Sequence, residues 1–204
     1  MDGLAAHWEQ VYATRNADEV SWYQVRPDTS LRLIERLGVD RNDAIIDVGG
    51  GASTLVDHLL DLGFADVTVL DIAAAALEAV RKRLGQRALQ VRWIAGDVND
   101  VKPAGPYRLW HDRAVFHFLT DADRRGRYVA TLSAAVPAGG SAIIATFAED
   151  GPDRCSGLPI CRYSPDSLAA ELGPGFALVE AVRETHVTPA RGHQEFIYCC
   201  FRRC

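Results

Sequence analysis

Asp47, Gly49, Gly51 and Asp71 are the residues whose types and spacing first suggest chemistry. Gly49 to Gly51 put side-chain-free backbone just ahead of a predicted helix, where amide N–H groups and a helix N-terminus can face a ligand. Asp71 follows Gly51 by twenty residues, close to the ~20-residue spacing at which an acid holds ribose hydroxyls in nucleotide-binding βαβ units. A carboxylate accepting two hydroxyl hydrogen bonds reads a ribose, so the pair points to an adenosine-containing ligand. The dinucleotide fingerprint asks for a third glycine where Thr54 stands, and its pyrophosphate would lie beside the Asp47 charge. Both features disfavour an NAD-dependent oxidoreductase. Asp47 suits an ammonium or a sulfonium instead.

The elements that must position these residues are legible as periodicity. Ala44 to Val48 is a β-branched apolar run interrupted only by Asp47, the pattern of a buried parallel strand. Ser53 or Thr54 then caps a helix carrying Leu55, Val56, Leu59 and Leu60, stopped by Gly63. Asp66 to Ile72 is a second strand, and Ala73 to Leu84 an alanine-rich helix with Glu78 and Lys82 paired on its solvent face. Gln90 to Ala95 leads into Gly96-Asp97-Val98, and Tyr107 to Asp112 is a fourth strand whose C-terminal end opens on the same crevice. Asp121 begins a helix that buries Tyr128, Leu132 and Val136 and breaks at Pro137. Ser141 to Phe147 is a fifth strand, Ser164-Pro165 opens a helix to Leu172, and Phe176 to Val187 with Gln194 to Arg202 reads as an antiparallel hairpin. Near the start, Asp28 or Thr29 caps a packing helix through Leu31, Leu33, Ile34 and Leu37. Strands alternating with helices predict an α/β fold.

DVGGGAST, Asp47 to Thr54, closely resembles the first motif of class I S-adenosylmethionine (SAM)-dependent methyltransferases, and VLDI, Val69 to Ile72, resembles their second. Gly96-Asp97-Val98 matches the third, and Pro137 to Gly140 resembles the loop before their fifth strand. The resemblance spans nearly the whole chain. It implies a Rossmann-like seven-stranded mixed sheet with helices on both faces, as one domain over residues 1–204, and S-adenosyl-L-methionine as cofactor. Asp47, Gly49, Gly51, Asp71 and Ile72 are its expected contacts. Asp97 is expected to take the adenine amine, and the Val98 N–H a ring nitrogen.

HWEQVY and VSWYQVRPDTSLRLI are similar to the N-terminal segment of small methyltransferases akin to the lysine methyltransferases of citrate synthase and of a translation elongation factor. Aromatics of that segment cover SAM in those relatives. Trp8, Tyr12 and Trp22 are therefore expected in a lid formed by about residues 1–30, against the plainer reading of a hydrophobic staple. Arg113 stands where the elongation-factor relatives carry a cofactor-contacting lysine; it either reads the SAM carboxylate or pairs with Asp112.

Methyl transfer needs alignment and a nucleophile freed of its proton. Candidate bases are Asp112, His117, His193 and Glu195. A lone His117 between Phe116 and Phe118 also reads as a core group. The fourth strand lacks an Asn/Asp-Pro-Pro-Tyr signature, and only Asp112 is available for a catechol-type Mg²⁺ site, so no metal is expected. The 204-residue chain has a net charge of −5 and five late-clustered cysteines without disulfide or zinc spacing. These features point to a reducing cytoplasm and away from a dedicated nucleic-acid binder. No membrane span or export signal is visible. A small-molecule acceptor fits the compact chain, a protein lysine fits the N-terminal resemblance, and a non-catalytic SAM-binding protein is the further alternative.

Overall fold

The computed structural model describes residues 3–204. Its strands are β1 (Ala44–Val48), β2 (Asp66–Asp71), β3 (Val91–Ala95), β4 (Leu109–Arg113), β5 (Ser141–Phe147), β6 (Arg154–Cys155), β7 (Leu158–Pro159), β8 (Phe176–Val187) and β9 (His193–Arg203). Seven form one sheet in the order β3-β2-β1-β4-β5-β9-β8, and β6 with β7 makes a separate small hairpin. β1 to β5 pair in parallel, whereas β9 runs antiparallel to β5 and β8 antiparallel to β9. This is the expected mixed sheet.

The helices are α1 (Gly3–Thr14), α2 (Asp28–Arg36), α3 (Leu55–Asp61), α4 (Ala74–Leu84), α5 (Ala122–Ala135) and α6 (Pro165–Leu172). Strand alternation separates two cores. Ile45, Val67, Val69, Ile143 and Phe147 face α2, α3 and α4 through Leu33, Ile34, Leu59 and Val80. Ile46, Leu70, Trp110, Ala142 and Ile144 face α5 and α6 through Tyr128, Leu132 and Leu168. Each fully buried Leu or Ile contributes roughly 1.5–3 kcal/mol by removal from water. The same alternation buries both Cys199 and Cys200, one in each core. Both faces of β9 are covered, so neither thiol meets solvent. Among the described residues no helix is long and apolar enough to cross a membrane.

Local starts and stops differ in detail. Neither Asp28 nor Thr29 caps α2: Pro27 occupies that position and its carbonyl accepts the Leu31 amide at 3.0 Å. Asp28 is instead the first helical residue, where its charge complements the positive helix end. At α3 the two hydroxyls divide the work, since Ser53 Oγ accepts the Leu55 amide at 3.1 Å and Thr54 Oγ1 donates to the Gln24 carbonyl at 2.9 Å. Asp121 caps α5 through the amides of Asp123 and Arg124, as its position before the apolar stripe predicts.

Candidate functional site

The turn after β1 is shaped for close approach. Gly49 and Gly51 have φ of 67° and 41°, values that side chains rarely adopt. A Cβ on Gly49 would lie 2.0 Å from Val115 Cγ2, and one on Gly51 would lie 2.8 Å from the Tyr12 hydroxyl and 2.9 Å from Asp71 Oδ2. The glycines hold the first strand, the second-strand acid and α1 together. The Gly49 and Gly50 amides are not spare, however: both donate to the Leu70 carbonyl, at 2.7 and 3.3 Å.

Asp71, at the end of β2, is 5 % exposed. Its Oδ1 accepts the Ala73 amide at 2.8 Å. Burial pushes its carboxyl up to about 7, against the amides of Ala73 and Gly51, which favour the ionised form. The charges of Asp47 and Glu9 raise it further.

Asp47 is equally buried but differently held. Its Oδ1 lies 2.7 Å from His111 Nδ1, and His111 Nε2 lies 2.9 Å from Ser30 Oγ. All three groups are buried. The other carboxylate oxygen, Oδ2, has no hydrogen-bond partner among the described residues. Asp47 lines a cavity together with Gly49, Gly50, Ser30, Trp22, Tyr12 and Arg113.

Arg113, the last residue of β4, does not pair with Asp112. Its Nε donates to the Tyr198 hydroxyl at 2.8 Å and its Nη1 to the Trp22 carbonyl at 3.0 Å. The guanidinium carbon sits 4.3 Å from the Phe196 ring centre. Nη2 lies 3.6 Å from Glu184 without a hydrogen bond.

A larger adjoining cavity shares Tyr12, Trp22, Gly49 and Arg113 with the first. Trp8, Asp71, Ile72, Asp97, Val98, Phe118, Arg124 and Cys155 complete much of its wall. Asp97 is well occupied, with Oδ1 taking both nitrogens of Asn99 and Oδ2 pairing with Arg124 at 2.6 Å. An adenine amine would share that carboxylate with the guanidinium. The aromatic residues of the N-terminal segment form one wall: the Trp8 ring lies 5.4 Å from Trp22 and 6.3 Å from Tyr12, centre to centre. Glu9, one residue on, accepts the first amides of α4 from Ala74 and Ala75 at 2.6 and 3.2 Å. It thereby caps a helix from another element.

The structure thus gathers Trp8, Tyr12, Trp22, Asp47, Gly49, Asp71, Ile72, Asp97, Val98 and Arg113 around two adjoining cavities, with Gly51 directly behind Asp71 and Tyr12. The candidate bases lie elsewhere. Asp112 is fully buried and ties down the turn after β4, accepting the Val115 and Phe116 amides at 2.8 and 3.1 Å and the Tyr128 hydroxyl at 2.5 Å. Burial pushes it up to about 6 despite these bonds. His117 is buried in a short helical turn, its Nδ1 accepts the Phe147 amide at 3.3 Å, and burial holds it neutral, down to about 3. His193 is exposed, and Glu195 accepts the Thr185 hydroxyl at 3.0 Å at the far end of the hairpin. None of the four lines either cavity.

Sequence reasoning missed His111, Ser30, Glu9, Phe118 and Cys155. His111 was within reach: it immediately precedes Asp112 on the fourth strand, and the register sets it opposite Asp47. The others are brought in from distant segments with no local signal.

Residues 45–140 match the family model described as Methyltransferase domain. The chain is 25% identical over 125 residues to the eEF1A lysine and N-terminal methyltransferase of Mus musculus, a match covering 59% of this chain and 17% of that protein. It therefore spans less than a fifth of the length of the curated relatives it matches. Among solved structures, the 1,6-didemethyltoxoflavin-N1-methyltransferase of Burkholderia thailandensis, with bound 1,6-didemethyltoxoflavin and S-adenosylhomocysteine, aligns at TM-score 0.75 and 22% identity, covering 98% of this chain and 87% of that one. The N-methyltransferase NodS of Bradyrhizobium japonicum, in complex with S-adenosylhomocysteine, aligns at TM-score 0.73 and 17% identity, covering 99% of each chain. The fold of the chain is the fold of these enzymes.

Proposed function

We propose that this chain, whose residues 45–140 match a methyltransferase-domain model, is a SAM-dependent methyltransferase acting on a small-molecule acceptor. One observation carries the reading. Asp47, with a buried and unpartnered carboxylate oxygen, and Arg113, whose Nη2 also has no hydrogen-bond partner among the described residues, line one cavity, and Asp71 lines the cavity adjoining it. An orphaned acceptor of that kind costs roughly 1–3 kcal/mol. The α-ammonium of the cofactor satisfies it, while Arg113 takes the α-carboxylate. A pyrophosphate in the same place would meet the Asp47 charge directly.

S-adenosylmethionine, when bound, supplies an electrophilic methyl on a sulfonium. The protein's part is alignment and dryness. Asp71 holds the ribose, the Val98 amide and Asp97 meet the adenine, and Trp8, Tyr12 and Trp22 wall the site from water. Ser30 and His111 keep the Asp47 carboxylate oriented. The N-terminal segment serves as a lid, latched by Glu9 on α4 and by the Trp22 carbonyl on Arg113. The five free cysteines support a reducing, cytoplasmic setting.

Calorimetric titration with S-adenosylhomocysteine and, separately, NAD tests the proposal. Micromolar binding of S-adenosylhomocysteine alone is expected. Binding of NAD alone, by protein shown to be folded, would overturn it. Binding of S-adenosylhomocysteine without turnover on any acceptor leaves a non-catalytic SAM-binding protein. A protein lysine acceptor is the second reading, favoured by the similarity to the mouse lysine methyltransferase.

A further inference from the structure

Arg124 lies in the first turn of α5, the end of a helix at which the dipole disfavours a cation. The helix does not need it there. Its backbone is nevertheless firmly placed: the Asp121 carboxylate that caps α5 accepts the Arg124 amide at 3.1 Å. The neighbouring Arg125 fixes the approach to the helix by donating to the Leu119 and Thr120 carbonyls at 3.1 Å each. From this anchored turn the Arg124 side chain reaches Asp97, Nη2 to Oδ2 at 2.6 Å, with 23% and 12% of the two side chains exposed. Both residues line the larger cavity.

The bonds at Asp97 leave it little freedom. An ionised carboxylate offers about four acceptor positions and no donor. Oδ1 takes the Asn99 amide at 2.8 Å and the Asn99 Nδ2 at 3.1 Å, and Oδ2 takes Arg124. Among the described residues one acceptor position remains, on Oδ2 beside the guanidinium. Asn99 clamps one oxygen and Arg124 the other, so the carboxylate cannot turn without breaking a bond on one side. A single fixed acceptor matches an N–H. The 6-amino group of an adenine supplies one, whereas a 6-oxo group would set oxygen against oxygen and leave the last acceptor position unfilled.

Resting on the methyl-transfer reading, we propose that Arg124 is a positioning residue for base specificity. It acts through Asp97, holding Oδ2 so that the site takes a 6-aminopurine cofactor and refuses its 6-oxo counterpart. Without the clamp, Asp97 turns about its bonds to Asn99 and water shares Oδ2. The amine then loses its fixed partner, while a 6-oxo ligand, which never had one, loses little.

Calorimetric titration of the full chain with S-adenosylhomocysteine and with its 6-oxo analogue, S-inosylhomocysteine, tests this. The wild type should prefer the first by about 100-fold or more, the margin of a site whose polar groups are left unpaired by the wrong ligand. Arg124→Ala should weaken S-adenosylhomocysteine about 3- to 10-fold and leave the analogue within about twofold, so the preference narrows. Arg124→Lys keeps a cation for a contact made to one oxygen, and should restore the preference to within about twofold of wild type. In an Asp97→Ala background, Arg124→Ala should change neither affinity by more than about twofold, because nothing is left to position. Should Arg124→Ala fail to fold, Arg124→Gln carries the same expectations. Equal weakening of both ligands would mean a merely structural arginine, and a widened preference would mean that Arg124 contacts the base itself. Either result overturns the proposal, as does a wild type without preference or a further loss in the Asp97→Ala background. Folded wild-type protein that binds neither ligand would instead remove the methyl-transfer reading beneath it.

Discussion

With Asp71 as the proposed ribose acceptor, cofactor affinity should depend on pH, with a sign and size that follow from its surroundings. In the empty site burial holds the carboxyl at about 7, so near neutrality it is half protonated. Only the ionised form accepts both ribose hydroxyls, so binding expels the proton. Affinity should be nearly flat above the free-state value and fall below it by about tenfold per pH unit, 1.36 kcal/mol. The dissociation constant of S-adenosylhomocysteine should therefore be roughly tenfold higher at pH 6 than at pH 8. Binding at pH 7 should also release about half a proton, read from calorimetry in buffers of different ionisation enthalpy. Asp71→Asn should abolish this pH dependence and weaken binding at pH 8 by ~1–3 kcal/mol through lost hydrogen bonds. The same variant should stabilise the empty protein. The folded carboxyl sits above its unfolded value of 3.8, so the folded state binds the proton more tightly. Stability is thus lost as pH rises from about 4 to 7, by at most about 4 kcal/mol. An affinity identical at pH 6 and 8, or the same slope in Asp71→Asn, would refute the reasoning.

Three further outcomes follow from contacts in the site. His111→Ala leaves Asp47 Oδ1 and Ser30 Oγ buried without partners, so it should cost about 2–4 kcal/mol in urea unfolding and raise the S-adenosylhomocysteine dissociation constant about tenfold; wild-type affinity would show that Asp47 needs no orienting partner. Asp112→Ala strips the Val115 and Phe116 amides and the Tyr128 hydroxyl of their acceptor, and should destabilise by about 3 kcal/mol or more. Loss of turnover with unchanged stability would return Asp112 to the role of base. Glu9→Ala removes the bonds that cap α4 and should cost about 1 kcal/mol, with faster proteolysis near α1; an unchanged cleavage rate would mean that the aromatic contacts alone hold the segment.

The sequence by itself determined the order of elements and most of the residues singled out around the two adjoining cavities. Strand, glycine turn and helix are local, so the periods of Ala44 to Val48 and Asp66 to Asp71, with Gly49 and Gly51 between them, are written within a few residues of one another. Parallel pairing then brings the ends of β1, β2 and β4 to one edge whatever the rest of the chain does. The candidate bases were not legible in this way. Nothing near Asp112 in sequence says that the Tyr128 hydroxyl, sixteen residues on, will consume it, nor that His117 will be dry. His193 and Glu195 alternate like site residues but extend past the cavity on a long hairpin. Only the tertiary structure set His111 opposite Asp47, landed Glu9 on a helix sixty-five residues away, and left one carboxylate oxygen without a partner. These outcomes depend on which polar groups meet after the chain has packed. A buried donor or acceptor is fixed by whatever crosses to it, and that partner comes from the fold rather than from neighbours in the chain.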